Sequence, residues 1–225
     1  MRLKKLGATL VVVAAFGAVL AGSAFAAATT TDVLWYTGMS PGSVLGSPAT
    51  VTSSQVGVST FETTISSMTV EFHSTNIECV ECKIENSGGT AVGHGKLKFT
   101  GVTLAKPSSC TTSSTITTNM LSLKADYMIG SVDYILFEPS AGPGSSFLPF
   151  TLSGIPCPIS GTFSAKGTMF VEAEKTTGTQ EPEQIVASSA TINTTAGGSL
   201  HVGTPAASLA GEIKFSIGGT PFGTH

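Results

Sequence analysis

The chain has 225 residues, of which only 11% are charged, where a soluble protein usually has about a quarter. Serine and threonine supply 60 residues and glycine 26, so the surface must consist largely of hydroxyl groups and backbone. Without Arg2, Lys4 and Lys5 the chain keeps 8 basic and 14 acidic side chains, a formal charge of −6, and no cluster of Lys and Arg, which argues against a nucleic-acid partner.

The first 26 residues have the three-part layout of a secretory signal peptide. Positive charge at the N-terminus is followed by an apolar run from Leu6 to Leu20 and by small residues up to Ala26. The pattern predicts cleavage between Ala26 and Ala27. A membrane anchor is the alternative, but the run is shorter than the roughly 20 residues that span a bilayer. We therefore expect an exported protein, secreted or held at the cell surface, without a transmembrane segment after cleavage.

From residue 27 onward the dominant hydrophobic period is two, which predicts strands with one buried face. Alternating runs occupy Met68–Phe72, Val80–Glu85, Lys96–Thr100, Ile159–Ala173 and Leu209–Ile217. Two more continuously apolar runs, at Val132–Phe137 and Phe147–Leu152, predict strands near the centre of a sheet. Shorter candidate strands are Val33–Tyr36, Val51–Val58, Ile116–Tyr127 and Leu200–Val202.

Turn signals separate these runs, and no segment shows a convincing helical period with caps. We predict a single all-β domain over residues 27–225, an antiparallel β-sandwich of jelly-roll type with about ten to twelve strands. A closed β-barrel is the alternative. Gly161, Gly167 and Gly211 fall on the inward-facing side of their runs, which predicts strong curvature or bulges at those points.

Four cysteines remain after the signal peptide, at Cys79, Cys82, Cys110 and Cys157. An even count in an exported chain favours two disulfides, of which three pairings are possible. The short spacing favours Cys79 with Cys82, which requires a turn or bulge between them, and then Cys110 with Cys157. A metal or redox interpretation of C-x-x-C lacks a second pair or a paired histidine.

Catalytic motifs are weak in this sequence. Gly38–Gly42 matches the G-x-S-x-G pattern of serine hydrolases around Ser40, and Asp126 or Asp133 and His201 follow in the right order. The pattern needs a strand, a tight turn and a helix, whereas Pro-Gly follows the serine here. An ordinary turn is the preferred interpretation.

The acidic residues and histidines form no recognised site. Glu71, Glu78, Glu81 and Glu85 could serve glycoside hydrolysis or bind Ca²⁺, but most of them alternate with apolar residues and fit the wet face of strands. The histidines are scattered at positions 73, 94, 201 and 225, so we expect no metal site and no cofactor.

Aromatic side chains on a β face are a common means of stacking on sugar rings. The candidates are Trp35, Tyr36, Tyr127 and Tyr134. These residues suit a hydrophobic core equally well, and the sequence favours the core.

Three segments carry a resemblance to other proteins: Ile77–Asn86, Ala125–Gly130 and Pro221–His225. With the overall layout, they resemble a group of paralogous exported bacterial β-rich proteins that carry no assigned activity. The resemblance implies an exported bacterial β protein and implies neither an activity nor site residues.

The function that these observations favour is non-enzymatic. We expect a secreted or cell-surface β domain that binds extracellular polysaccharide or cell-envelope material. The alternatives are a self-associating envelope or matrix protein, a carrier of a small hydrophobic ligand, and an enzyme whose site is assembled from distant residues such as Glu71 or Asp133.

Overall fold

The computed structural model describes residues 34–38, 43–129, 132–173, 190–193, 198–220 and 222–224. The predicted signal peptide and its cleavage point at Ala26 and Ala27 lie outside these ranges. Within them the chain forms strands and no helix. The strands are β1 (Trp35–Thr37), β2 (Ser43–Val44), β3 (Ala49–Thr50), β4 (Thr52–Ile65), β5 (Met68–Ser74), β6 (Asn76–Ser87), β7 (Thr90–Thr100), β8 (Thr103–Lys106), β9 (Thr115–Thr117), β10 (Leu121–Ile129), β11 (Val132–Pro139), β12 (Ser146–Leu152), β13 (Gly161–Lys166), β14 (Met169–Ala173), β15 (Ala190–Asn193), β16 (His201–Val202), β17 (Ala207–Ser216) and β18 (Phe222–Thr224).

The strands form three antiparallel sheets. The long sheet has the order β3-β6-β7-β10-β11-β14-β15-β17-β4-β5-β8, with β9 beside β7. The two small sheets have the orders β18-β1-β2 and β12-β13-β16. No described sheet closes into a barrel, because β3 and β8 are the two unjoined ends of the long sheet. The fold is therefore an all-β sandwich, as the alternation predicts, and the closed barrel is not adopted.

One hydrophobic cluster lies between the long sheet and the two small sheets. From the β12 sheet, Phe150 meets Phe61 and Phe72 of the long sheet at ring-centroid distances of 5.8 and 5.1 Å. In the β1 sheet, Trp35 packs edge-on against Phe222 at 5.5 Å. Burying each of these rings contributes about 1.5–3 kcal/mol, which holds the strand faces that carry them inward.

Two predicted strands are broken in the structure, and five short strands that match no predicted run, β2, β3, β8, β15 and β18, also raise the number of described strands above the expected ten to twelve. The run Ile159–Ala173 divides into β13 and β14, which belong to different sheets. The break lies at Gly167, where φ is +99° and a Cβ would collide with the backbone of Ser199. The run Ile116–Tyr127 divides at Thr118, whose hydroxyl accepts a hydrogen bond from the Leu97 N–H at 2.9 Å in place of a backbone carbonyl.

A bulge in β6 explains why residue 95 of the facing strand β7 is a glycine. The register against β7 shifts by one residue between Val80 and Lys83, and Glu81 adopts a left-handed φ of +58°. A Cβ on Gly95 would lie 2.8 Å from the Cα of Cys82, so only glycine leaves room for the bulge.

Side chains join strands that the backbone ladder does not pair. The Ser53 hydroxyl of β4 accepts a hydrogen bond from the Cys79 N–H at 2.6 Å and donates to the Ile77 carbonyl at 3.4 Å. Asn86 accepts a hydrogen bond from the backbone N–H of Trp35 at 2.6 Å and donates to the carbonyls of Trp35 and Leu45. Through Asn86 the small β1 sheet is held against the long one.

Candidate functional site

The residues of the hydrolase-like motif are not brought together in the described part of the chain. Ser40 and the side chains of Asp126 and Asp133 lie outside it. His201 lies on β16, where its Nδ1 is 2.8 Å from the carbonyl of Ser199.

Two of the four candidate aromatic residues, Trp35 and Tyr134, cannot stack on a sugar ring because they are buried. Trp35 is 1% exposed, and its indole N–H donates to the Val92 carbonyl at 2.9 Å. Tyr134 is 8% exposed and meets Phe170 edge-on. Tyr36 is half-buried, and the Tyr127 side chain lies outside the described residues. Trp35 and Tyr134 therefore belong to the packed interior, the interpretation that the sequence favours.

The cysteines form two disulfides, Cys79 with Cys82 and Cys110 with Cys157. These are the pairs that the spacing favours. The first closes the β6 bulge, and the second ties the loop after β8 to the loop after β12. Among the residues that the structure describes, no group of three or more His, Cys, Asp or Glu side chains could hold a metal ion.

The acidic residues Glu71, Glu78 and Glu81 lie on two different surfaces. On the outer side of β6 and β7, Glu78 pairs with Lys98 at 3.1 Å and Glu81 with Lys96 at 2.9 Å. Glu71 lies elsewhere, on β5, and has two partners of its own. Its Oε1 is 2.7 Å from Nε2 of His73, and its Oε2 is 2.7 Å from Nζ of Lys106.

Strand pairing sets Glu71 within a polar surface on the outer side of β17, β4, β5 and β8, with a register shift between Glu71 and Phe72 where β5 meets β8. Two rows of directly opposite residues cross these four strands, over a width of about 14 Å. The first row is Ser208, Glu62, Glu71 and Lys106, and the second is Ala210, Thr60, His73 and Thr103. We call these eight residues the β5 face.

The β5 face is open to solvent at its margins and tightly hydrogen-bonded at its centre. The Glu71 side chain is 15% exposed, whereas those of His73 and Lys106 are 41% and 59% exposed. The Lys106 ammonium and, after it, the His73 imidazole hydrogen-bond to Glu71 and hold the pKa of its carboxyl below the usual value. The Glu71 carboxylate in turn raises the pKa of Lys106.

The hydroxyl groups of the β5 face differ from those of the β12 sheet. On the β12 sheet, Thr151 and Thr162 lie 3.2 Å apart and Ser146 and Ser164 lie 2.6 Å apart, each pair sharing a hydrogen bond. The hydroxyls of the β5 face, on Thr60, Thr103 and Ser208, form no side-chain hydrogen bond with any described residue. They can therefore donate to, and accept from, a ligand.

The described residues line two small apolar cavities. One apolar cavity of about 20 Å³ lies between Phe61, Phe99 and Leu148. A second of about 20 Å³ lies between Trp35, Ile84 and Phe137. Each has room for about one water-sized molecule.

Sequence reasoning singles out Glu71 and His73 but misses Lys106, Thr60 and Thr103. No local signal links these residues, because they lie on three strands that are brought together by pairing alone. Comparison with protein-family models, with curated proteins and with solved structures finds no match for this chain. Over the described ranges, no helix is long and apolar enough to cross a membrane.

Proposed function

We propose that this chain is an exported, non-enzymatic bacterial β-sandwich that binds polysaccharide or cell-envelope material outside the cell through the β5 face. The observation that carries the proposal is the row of polar groups centred on Glu71 on an outer sheet face, where His73 and Lys106 are exposed and nearby hydroxyls have no partner among the described residues. The signal-peptide pattern, the two disulfides and the resemblance to exported bacterial β-rich proteins support the extracellular location.

The chemistry of the β5 face suits a polymer of sugars. Polysaccharides present closely spaced hydroxyls that both donate and accept hydrogen bonds. Lys106 can donate, Glu62 can accept, and Thr60 and Thr103 can do both. Hydrogen bonds to the charged groups are stronger than those between neutral groups, so a few contacts can orient a repeating ligand.

A glycosidase is less well supported. Glu62 and Glu71 lie directly opposite on neighbouring strands, as a pair of catalytic carboxylates could, but they lie on an open sheet face and not in a cleft. A general acid needs a raised pKa, whereas the pKa of Glu71 is lowered by Lys106 and His73.

A carrier function and self-association through strand edges also have less support. A carrier of hydrophobic ligands needs a pocket of about 300 Å³ or more, and the two cavities that the described residues line hold about 20 Å³ each. Self-association is opposed at β8, the four-residue strand at one end of the long sheet. That strand ends in Lys106 and is followed by Pro107, two residues that block the addition of another strand.

The test is co-sedimentation of the purified protein with insoluble cellulose, insoluble chitin and isolated bacterial envelopes. We expect saturable binding to at least one of these. The double variant Thr60→Val and Thr103→Val should weaken that binding about tenfold or more, since each lost hydrogen bond is worth about 0.5–1.5 kcal/mol.

The matched control is the double variant Thr151→Val and Thr162→Val. It removes two hydroxyls that are bonded to each other on the β12 sheet, and it should bind like the wild type. Sedimentation no greater than that of an inert protein with all three materials would contradict the proposed function. If both double variants lose binding equally, the β5 face is not the binding site.

A further inference from the structure

The Glu71–His73 contact determines which ring nitrogen of His73 faces a ligand. Oε1 of Glu71 is 2.7 Å from Nε2 of His73, and Oε2 is occupied by Lys106 at the same distance. Because hydrogen bonds from both partners lower the pKa of Glu71, its carboxyl group is ionised near neutral pH. An ionised carboxylate can only accept hydrogen bonds.

The proton of the contact therefore belongs to His73. Nε2 must carry hydrogen and donate it to Glu71, since two acceptors would repel each other. In a neutral imidazole the other nitrogen, Nδ1, then carries a lone pair. Nδ1 makes no hydrogen bond with any described residue, and 41% of the side chain is exposed.

His73 lies between two threonines in its row of the β5 face. Thr60 of β4 lies directly opposite His73 on one side, and Thr103 of β8 lies opposite on the other. Lys106 is one row away, with its ammonium directed to Glu71 by one of its three N–H donors. An acceptor and a donor are thus fixed side by side on neighbouring rows of one surface.

We propose that Glu71 is a positioning residue that holds His73 with hydrogen on Nε2, so that Nδ1 accepts from a sugar hydroxyl while Lys106 donates to a neighbouring sugar oxygen. The ligand class that matches this pair is an uncharged polysaccharide with adjacent hydroxyl groups. This inference rests on the proposed function, because it names the chemistry by which the β5 face would recognise that polymer.

The first arm of the test needs no ligand. Long-range ¹H–¹⁵N NMR spectra of histidine-labelled protein at pH 8 report the protonated ring nitrogen of each of the four histidines. The signal of His73 is assigned by its disappearance in the variant His73→Gln. We expect hydrogen on Nε2 alone in the wild type, and a shift towards exchange between the two nitrogens in Glu71→Ala. Hydrogen on Nδ1 in the wild type would overturn the inference.

The second arm measures binding to whichever of cellulose, chitin or bacterial envelopes the wild type binds. Glu71→Ala should weaken binding about twofold to tenfold, because it frees the His73 ring and the Lys106 ammonium, and the hydrogen bond that either would make to the ligand is worth about 0.5–1.5 kcal/mol. The matched control is Glu78→Ala, which removes the carboxylate of the Glu78–Lys98 pair on another surface and should leave binding unchanged.

The two arms separate the inference from the function on which it rests. Absence of binding by the wild type contradicts the proposed function, whatever the NMR spectra show. Wild-type binding that persists in Glu71→Ala contradicts this inference alone. Thermal unfolding, followed by the fluorescence of the single tryptophan, checks that each variant is folded.

Discussion

The two disulfides should contribute unequally to stability, because they close loops of very different length. Cys110 and Cys157 are separated by 47 positions, whereas Cys79 and Cys82 are separated by 3. In the chain-entropy relation, a cross-link stabilises by restricting the unfolded chain, more for a longer loop. The relation gives about 4 kcal/mol for the long loop and about 2 kcal/mol for the short one. We therefore expect a difference of about 2 kcal/mol between the variants that lack them.

The structure makes this a matched comparison. Each disulfide joins one buried sulfur to one half-buried sulfur: Cys110 is 5% and Cys82 is 3% exposed, and their partners are intermediate. Loss of packing should therefore be similar when both members of a pair are replaced by alanine. The measurement is the free energy of unfolding in urea for the two double variants and the wild type.

An equal loss of stability in the two double variants, or a greater loss without Cys79 and Cys82, would refute this reasoning. It would show that the short disulfide acts mainly on the folded state, by holding the β6 bulge. The fluorescence of the single tryptophan provides the signal for all three proteins, since that residue is buried in the core.

Local contacts carry three more predictions. Gly95→Ala should lower the free energy of unfolding by about 1–3 kcal/mol, because the added Cβ would overlap Cys82. Gly144→Ala has open space around it and should change stability little. Equal effects of the two variants in urea unfolding would contradict this prediction. Asn86→Ala should cost about 1–3 kcal/mol, since it leaves the backbone N–H of the buried Trp35 without its partner, and a loss below about 0.5 kcal/mol would contradict the role of that amide as the link between sheets. The folded-state pKa of Glu71 is lowered from 4.5. The stabilising effect of this carboxylate is therefore complete above pH 4.5 and disappears as the pH falls through the folded-state pKa. Glu71→Gln should flatten this acid dependence of stability, and an unchanged profile of unfolding against pH would refute the prediction.

Much of the fold could be predicted because burial follows the alternation of side chains along each strand. In β5 the buried residues Val70 and Phe72 alternate with Thr69 and Glu71, as the sequence pattern predicts. The break at Gly167 could not be predicted in the same way. Its position on the inward side indicates curvature within one strand, and the collision that requires glycine there involves Ser199, a residue distant in sequence.

The candidate site was less predictable for a related reason. The sequence groups Glu71 with Glu78 and Glu81, because all three lie within a short stretch. Strand order instead places Glu71 beside Lys106, 35 positions away, through the pairing of β5 with β8. Periodicity indicates which residues face outward, but the register between strands decides which outward residues meet.

Register also explains why residues of one type have different roles on this surface. Thr151 lies directly opposite Thr162, so each hydroxyl satisfies the other. Thr60 lies between Ala210 and His73, and neither neighbour offers it a hydroxyl. An abundance of serine and threonine therefore does not by itself indicate a binding surface. Hydroxyls without a partner among the described residues also occur elsewhere, as on Thr64 and Thr69, which lie directly opposite each other. What the β5 face adds is a carboxylate beside its hydroxyls whose two partners, His73 and Lys106, are already fixed. The proposed recognition of a hydrogen-bonding polymer therefore depends on that combination of charged groups and hydroxyls, and not on the hydroxyls alone.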